Sequence, residues 1–375
     1  MPGFKAGGPV QSLANLIVTL GSDYQFFVVT GAYDVDESEP YKNIQLNSWN
    51  ELKLEENTVN VFYAGKKIDY TNYHQKLKEI AADYIFFNCM YSYRFFLFPL
   101  LNKNKLFAAA EKLIISPRGV LQPGSLAVKS FKKKMYLFLL RKSRLLSDCN
   151  WHATATSESD AIIKYFGRNS NIEIIGNVPK VPLQFITAST KQTGVLKLIH
   201  LSLITPVKNI QQLIQVCKNC KQLIIVDIYG PVKDADYWNT CIEEMKQLPN
   251  NVVVEYKGDL QPSLVQTTIS KYDALILLTK GENFGHALFE SLSVGRPIIT
   301  SFFTPWINLQ QKKAGWNVNI KDATEITVLL DQLALMDAIS WTQYCDNAHT
   351  LSKEYFYNQS NLLHLYKMLF VKNIT

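Results

Sequence analysis

The sequence predicts an α/β protein built from two Rossmann-like, doubly wound domains that face one another across a cleft. Three observations predict it. Apolar runs of strand length alternate with amphipathic stretches of helix length along the chain. The alternation stops once, between Gly176 and Gly194, where Pro179, Pro182 and several Ser and Thr residues have a linker composition. Finally, 375 residues exceed what one ordinary core organises. The first domain is expected over 1–177, the linker over 178–194, and the second domain from residue 195.

A hydrophobic fraction of 47% and a charged fraction of 19% suit sizeable cores. No apolar run reaches the roughly 18 residues of a spanning helix. Met1 runs straight into Pro2-Gly3-Phe4-Lys5 without a secretory pattern. Six scattered cysteines fit a reducing cytoplasm. Cys217 and Cys220 are close, but no second pair or histidine follows, and they read as helix-face filler rather than a metal site. Net charge is +7. Much of it lies in Lys129–Arg144, where cations alternate with Phe131, Met135, Tyr136, Leu137, Phe138, Leu139 and Leu140. Such a stretch suits an anionic bilayer surface; a solvated helix with one buried face is the other reading. No nucleic-acid-binding motif accompanies the charge, so nucleic acid is not expected as a partner.

In chain order, a glycine-rich opening (Met1 to Pro9) precedes a helix over Gln11–Leu20, with Leu13, Leu16, Ile17 and Leu20 on one face. Gly7 and Gly8 would let a phosphate or sugar approach the backbone closely. A doubly wound domain normally feeds such a loop from a strand, and none is seen before it. Strands are expected at Tyr24–Thr30, Val59–Tyr63, Tyr84–Asn88, Leu113–Ser116, His152–Thr156 and Ile172–Ile175, and helices at Tyr70–Ala81 and Arg94–Leu101. Asp34-Val35-Asp36 has the acidic spacing of some metal-dependent sugar transferases, but lies in a loop rich in acids and reads as solvated. Arg118, in Ser116-Pro117-Arg118-Gly119, sits at a strand's carboxyl end, where its fixed charge suits a phosphate or an acidic sugar; a structural salt bridge is the alternative. Ser157 is expected to cap the helix that ends at Phe166.

The second half restarts with a strand at Val195–Leu203. A helix over Asn209–Cys220, a strand at Leu223–Tyr229, a helix over Tyr237–Gln247, a strand at Val252–Tyr256 and a helix over Pro262–Lys271 follow. Leu275 to Gly315 then reads as strand, loop, helix and strand, with Glu282 on the loop and Glu290 on the helix. Helices near Ala323–Met336, Ser340–Leu351 and Gln359–Phe370 close the chain. Open α/β sheets bind ligands at the carboxyl ends of their strands. A helix start with Phe284, Gly285, His286 and Ala287 amides offers donors and partial positive charge to a diphosphate. Glu290 can accept two hydroxyl hydrogen bonds, as a ribose diol offers. Lys208 sets an ammonium at another strand's carboxyl end, where it suits a diphosphate leaving group.

Glu282 and Glu290, with seven residues between them in GENFGHALFESLSVGRPII, resemble the paired-glutamate signature of the retaining glycosyltransferases of family 4 (group 1 glycosyltransferases), which have the GT-B fold. Thr304-Pro305-Trp306, Leu309 and Ala314-Gly315-Trp316 follow the same pattern. So do Gly3 to Pro9, Ser116 to Gly119, Thr156 to Glu158 and Lys208-Asn209. The resemblance runs through nearly the whole chain. It implies transfer of a sugar from a nucleotide-sugar co-substrate to a glycan or lipid-linked acceptor, with anomeric configuration retained and neither metal nor cofactor. By resemblance Lys208 and Glu282 are catalytic, Lys208 at the departing diphosphate and Glu282 facing the sugar. Gly7, Gly8, Phe284, Gly285, His286 and Glu290 bind the donor, Glu290 at the ribose; Arg118 is placed with them on its charge and its strand-end position. Residues 1–177 become the acceptor-side domain, 195–355 the nucleotide-sugar domain, and 356–375 a helix crossing back to the first. The expected setting is cell-surface polysaccharide synthesis in the cytoplasm, peripheral to the inner face of the membrane through Lys129–Arg144.

Two departures from the family pattern stand out. Ser202-Leu203-Ile204 puts Leu203 where an arginine usually stands, removing one of two cations at the diphosphate. A lost contact of that kind costs a few kcal/mol, on the order of a hundredfold in rate. Arg118 and His200 are the side chains considered as substitutes. The second departure is the missing first strand, which is expected to leave the glycine loop unanchored. These features keep a second reading open, a GT-B protein that binds nucleotide or a partner with little or no turnover. A GT-B epimerase fits the NFG and TPW context less well.

Overall fold

The computed structural model describes the chain except residues 1, 2, 4, 6, 36, 123–125, 127–129, 169, 183–190, 359 and 372–375. Asp36, Lys129 and Gln359, and the middle of the expected linker, therefore lie outside the described residues. The chain divides into two compact units, Met1–Val178 with Ser360–Thr375, and Pro179–Gln359.

The first unit opens with a helix over Gly8–Leu20. Then come strands β1 (Phe27–Gly31), β2 (Trp49–Leu54), β3 (Asn57–Ala64), β4 (Tyr84–Asn88), β5 (Lys112–Ser116), β6 (Cys149–Ala153) and β7 (Ile172–Ile174). Instead of one sheet there are two, in the orders β1-β3-β2 and β4-β5-β6-β7. Among the described residues no strand precedes the first helix, and β1 and β4 each end their sheet with an unpaired edge. The helix itself carries the core from one sheet to the other. Leu16 and Leu20 pack with Ile114 and Ile175, while Ile17 packs with Val28, Val59 and Val61. Strand β2 was not expected: it is an edge strand that pairs antiparallel with β3, and its burial is only partial, so its apolar signal is weak. The expected helix at Arg94–Leu101 begins as a π-helical turn over Tyr93–Leu97.

Ser157 is not a cap. The helix runs Thr156–Phe166 and starts after Ala155 without a side-chain cap bond. Glu158, fully buried, ties this turn together instead. Its carboxylate accepts from Thr154 N and Thr154 Oγ1, both at 2.8 Å, and from Gly119 N. The last helix, Ser360–Leu369, packs in this first unit. Tyr366 donates to Gly176 O at 3.0 Å, and Leu369 and Phe370 join the core around Ile114.

The second unit holds strands β8 (Val195–Leu201), β9 (Leu223–Tyr229), β10 (Val252–Gly258), β11 (Ala274–Leu277), β12 (Ile298–Ser301) and β13 (Gly315–Val318). They form one parallel sheet in the order β10-β9-β8-β11-β12-β13. Strand β13 is short and was missed in the sequence. All four residues of β11 are buried, as a central parallel strand requires. One core lies on each sheet face: Leu196, Leu198, Ile224 and Val226 belong to one, Ile199, Leu275, Leu277, Leu288 and Phe289 to the other. Strand order reverses between β8 and β11, and such a switch point opens a crevice at the strands' carboxyl ends.

Candidate functional site

The two loops at that switch point carry Glu282 and Lys208, and the helix that follows the second loop carries Glu290. After β8 the chain turns through Thr205, whose carbonyl accepts from Lys208 N at 3.0 Å. Asn209 then takes a left-handed conformation (φ 61, ψ 37) and starts the Ile210–Lys218 helix. The loop after β11 is laced to this turn: Lys280 N donates to Val207 O at 2.8 Å, and Thr279 Oγ1 donates to the same carbonyl at 3.2 Å. These bonds bring Lys208 against Glu282, whose Oε1 accepts from Lys208 Nζ. The two side chains are only 16% and 20% exposed, so the pair is mostly withdrawn from water.

Glu282 is fixed at its backbone, donating from N to Phe303 O at 2.9 Å. Gly285 follows at φ 78, ψ 68 and begins the His286–Ser293 helix, with no side chain capping it. Only glycine fits easily: a Cβ there would stand 2.7 Å from Leu288 Cδ1. The first turn of this helix therefore carries the donors and partial charge of a helix start. The Phe284 ring is buried against Phe289, Trp306 and Tyr355, which leaves only its backbone to meet a ligand, and Trp306 Nε1 donates to its carbonyl at 2.7 Å. The His286 ring stands 4.9 Å from that of Phe284.

Glu290 lies one turn further along the helix and is buried. Its Oε2 has no hydrogen-bond partner. Burial pushes its carboxyl up to about 7, and the charge of Lys180 pulls the other way. An orphaned, desolvated carboxylate oxygen is uncommon in folded proteins and calls for a ligand to complete it. Sequence reasoning missed Lys180, which lies in a segment read only as linker, and nothing in its surroundings would have singled it out.

His200 cannot supply a charge. It is fully buried in β8, burial takes its imidazole down to about 3 with Lys208 acting in the same direction, and Nε2 bonds Ser202 Oγ at 2.8 Å. Leu203 offers no cation either; its carbonyl accepts from Ser202 Oγ at 3.1 Å. Cys217 and Cys220 are buried in the core beside Val216. Among the described residues no cluster of three or more His, Cys, Asp or Glu could hold a metal.

Gly7, Gly8 and Arg118 belong to the first unit. Gly7 (φ 75, ψ −142) starts the Gly8–Leu20 helix without a side-chain cap, and Val10 N donates to its carbonyl at 3.1 Å. The glycine turn is thus tied to its helix. Arg118, at φ 57, reaches Asn88 Oδ1 from Nε at 2.7 Å and Asn177 Oδ1 from Nη1 at 2.6 Å. It binds strand ends to the exit of the unit through neutral amides, and its Nη2 is buried without a partner. Asp34 accepts from Val35 N at 2.9 Å and, across 29 positions, from Lys5 N at 3.3 Å.

Residues 184–341 match the family model of glycosyl transferases group 1. No curated protein matches the chain in sequence. Among solved structures, Anabaena Alr3699/HepE in complex with UDP-glucose superposes with a TM-score of 0.72 at 15% identity, over 97% of this chain and 96% of that one. A sucrose-phosphate synthase from Thermosynechococcus elongatus gives 0.67 at 14% identity, over 97% and 94%. WaaG, a glycosyltransferase involved in lipopolysaccharide biosynthesis, gives 0.65 at 12% identity, over 100% and 98%. The fold is GT-B, with two Rossmann-like units.

Proposed function

We propose that this chain is a glycosyltransferase of family 4 that moves a sugar from a nucleotide-sugar to a glycan or lipid-linked acceptor. Anomeric configuration is retained, no metal or cofactor takes part, and the product belongs to a cell-surface polysaccharide. One observation carries the reading: buried Glu290, with a partnerless carboxylate oxygen, sits on the helix whose uncapped start follows Glu282. A ribose diol supplies the two hydroxyl donors such a carboxylate can accept. The helix start then seats the diphosphate beside Lys208. As the bond from the sugar's anomeric carbon to the diphosphate breaks, negative charge gathers on the departing oxygens. Lys208 and the helix start act where that charge develops, which lowers the barrier rather than only tightening binding. The incoming diphosphate also offers Lys208 a second anion, which leaves Glu282 to face the sugar.

The match to glycosyl transferases group 1 supports transfer chemistry, and the Anabaena complex makes UDP-glucose the first donor to test. Calorimetry with UDP-, GDP- and ADP-sugars, followed by assays of donor hydrolysis and transfer, tests the reading. Binding that is lost in Glu290→Ala supports it; the absence of any binding to the whole panel overturns it. Leu203 favours a second reading, a GT-B protein that holds nucleotide with little turnover. Leu203→Arg separates the two. An enzyme adapted to leucine gains little, whereas a rise on the order of a hundredfold marks an impaired one.

A further inference from the structure

The Ser130–Lys142 helix of the first unit is apolar on two opposite sides, and only one of them is used by the fold. Leu137 and Leu140 face inward and are buried with Leu113, Leu146 and Trp151. Tyr136 anchors the same side, donating to Met90 O at 2.8 Å. On the outer side Phe131 is 80% exposed, Met135 51%, Phe138 59% and Leu139 57%. At roughly 100° per residue, Phe131, Met135 and Phe138 fall within about 60° of one another, with Leu139 at the margin. That stripe runs opposite the buried pair.

Charge frames the stripe. Between Ser130 and Ser147 there are six cations (Lys132, Lys133, Lys134, Arg141, Lys142, Arg144) and no carboxylate. On the helix wheel Lys132 falls on one side of the stripe, and Lys134 and Arg141 on the other; all three are exposed. Lys142 reaches back over the Phe138 ring at 5.9 Å. The nearest acid in sequence beyond this run, Asp148, is already paired with Lys103.

We propose that this face docks the protein on an anionic lipid bilayer, with the helix lying in the plane of the interface. The apolar stripe enters the acyl boundary while the flanking ammonium and guanidinium groups meet lipid phosphates. Thirteen residues reach only about 20 Å and carry too much charge to span. A second copy of this chain is a poor occupant, since a two-fold contact would set cations against cations. Nucleic acid would leave the stripe of Phe and Met unburied. Docking here would bring the protein to where lipid-linked acceptors reside. The inference does not need the donor-site reading, because lipid binding is measured without nucleotide.

The test is co-sedimentation of the full chain with phosphatidylcholine vesicles, with and without phosphatidylglycerol. Binding is expected only with the anionic lipid and should weaken with salt. Lys132→Ala with Lys134→Ala should reduce it about thirtyfold, and Phe131→Ser with Met135→Ser and Phe138→Ser should abolish it. These side chains are exposed, so both variants should keep wild-type circular dichroism and the wild-type urea midpoint. Equal partition onto neutral and anionic vesicles, or unchanged binding by either variant, overturns the proposal. So does sedimentation showing a dimer that the triple serine variant dissolves, since the stripe would then serve a second copy.

Discussion

Glu290→Gln offers the sharpest view of the nucleotide site. Burial raises the carboxyl from its ordinary 4.5 to about 7, so ionising it inside the donor-free protein costs about 3 kcal/mol. Between those two values the native protein holds a proton that the unfolded chain has released. Stability is therefore full below about pH 4.5 and falls by up to about 3 kcal/mol as pH rises through 7. Glutamine removes this dependence while keeping the side chain's shape. Ligand binding shows the opposite trend. A diol donating two hydrogen bonds favours the charged carboxylate, so bound donor pulls the group's titration downward. Near pH 6 only about a tenth of the donor-free protein is ionised at Glu290, against about nine-tenths near pH 8. UDP-glucose should then bind roughly tenfold more weakly at the lower pH. Its diphosphate diester does not titrate there, which makes it a better probe than UDP. Calorimetry in buffers of different ionisation heat should also detect a proton released on binding. Glu290→Gln should bind weakly at both pH values and release no proton. A flat pH profile in the wild type, or the same profile in the variant, would refute the ribose-clamp reasoning.

Lys208→Ala should lower kcat on the order of a hundredfold with a smaller change in KM, measured by UDP release; a change confined to KM would mean that Lys208 only binds. Gly285→Ala forces a side chain into positive φ and against Leu288. It should destabilise the second unit by about 1–2 kcal/mol in urea and weaken UDP-glucose binding, and full retention of both would show that the helix start is not the diphosphate seat. Glu158→Ala leaves Thr154 N and Gly119 N without their buried acceptor and should cost about 3 kcal/mol, read as a lower urea midpoint with UDP-glucose affinity unchanged. An unchanged midpoint would contradict the buried network.

The elements legible in the sequence are those whose signal is local. Strand β9 and strand β4 fall where expected because mostly apolar runs, interrupted only by Asp227 in β9 and closed by Asn88 in β4, have few alternatives when turn residues bound them. Strand β2, half-exposed on a sheet edge, gave only a weak alternation. Ser157 had the right residue type for a cap, yet the stronger buried acceptor Glu158 settled where that helix begins. Short motifs likewise announced Gly285, Glu282 and Glu290, since a glycine at the helix start permits close approach and the spacing of the two glutamates puts one on the loop and the other on the helix that follows.

The sequence by itself determined the α/β class, the restart at Val195 and the loop that carries Glu282 and Glu290, because each depends on neighbours a few residues apart. Only the tertiary structure decided that Lys208 lies against Glu282, across 74 positions, and that Lys180 bears on Glu290. It also decided that His200 is held neutral, that Arg118 spends its charge on two asparagines, and that the first unit's strands split into two sheets joined by one helix. These outcomes depend on burial and on side chains meeting through space. No stretch of sequence encodes either alone, because both are set by how every strand and helix finally packs.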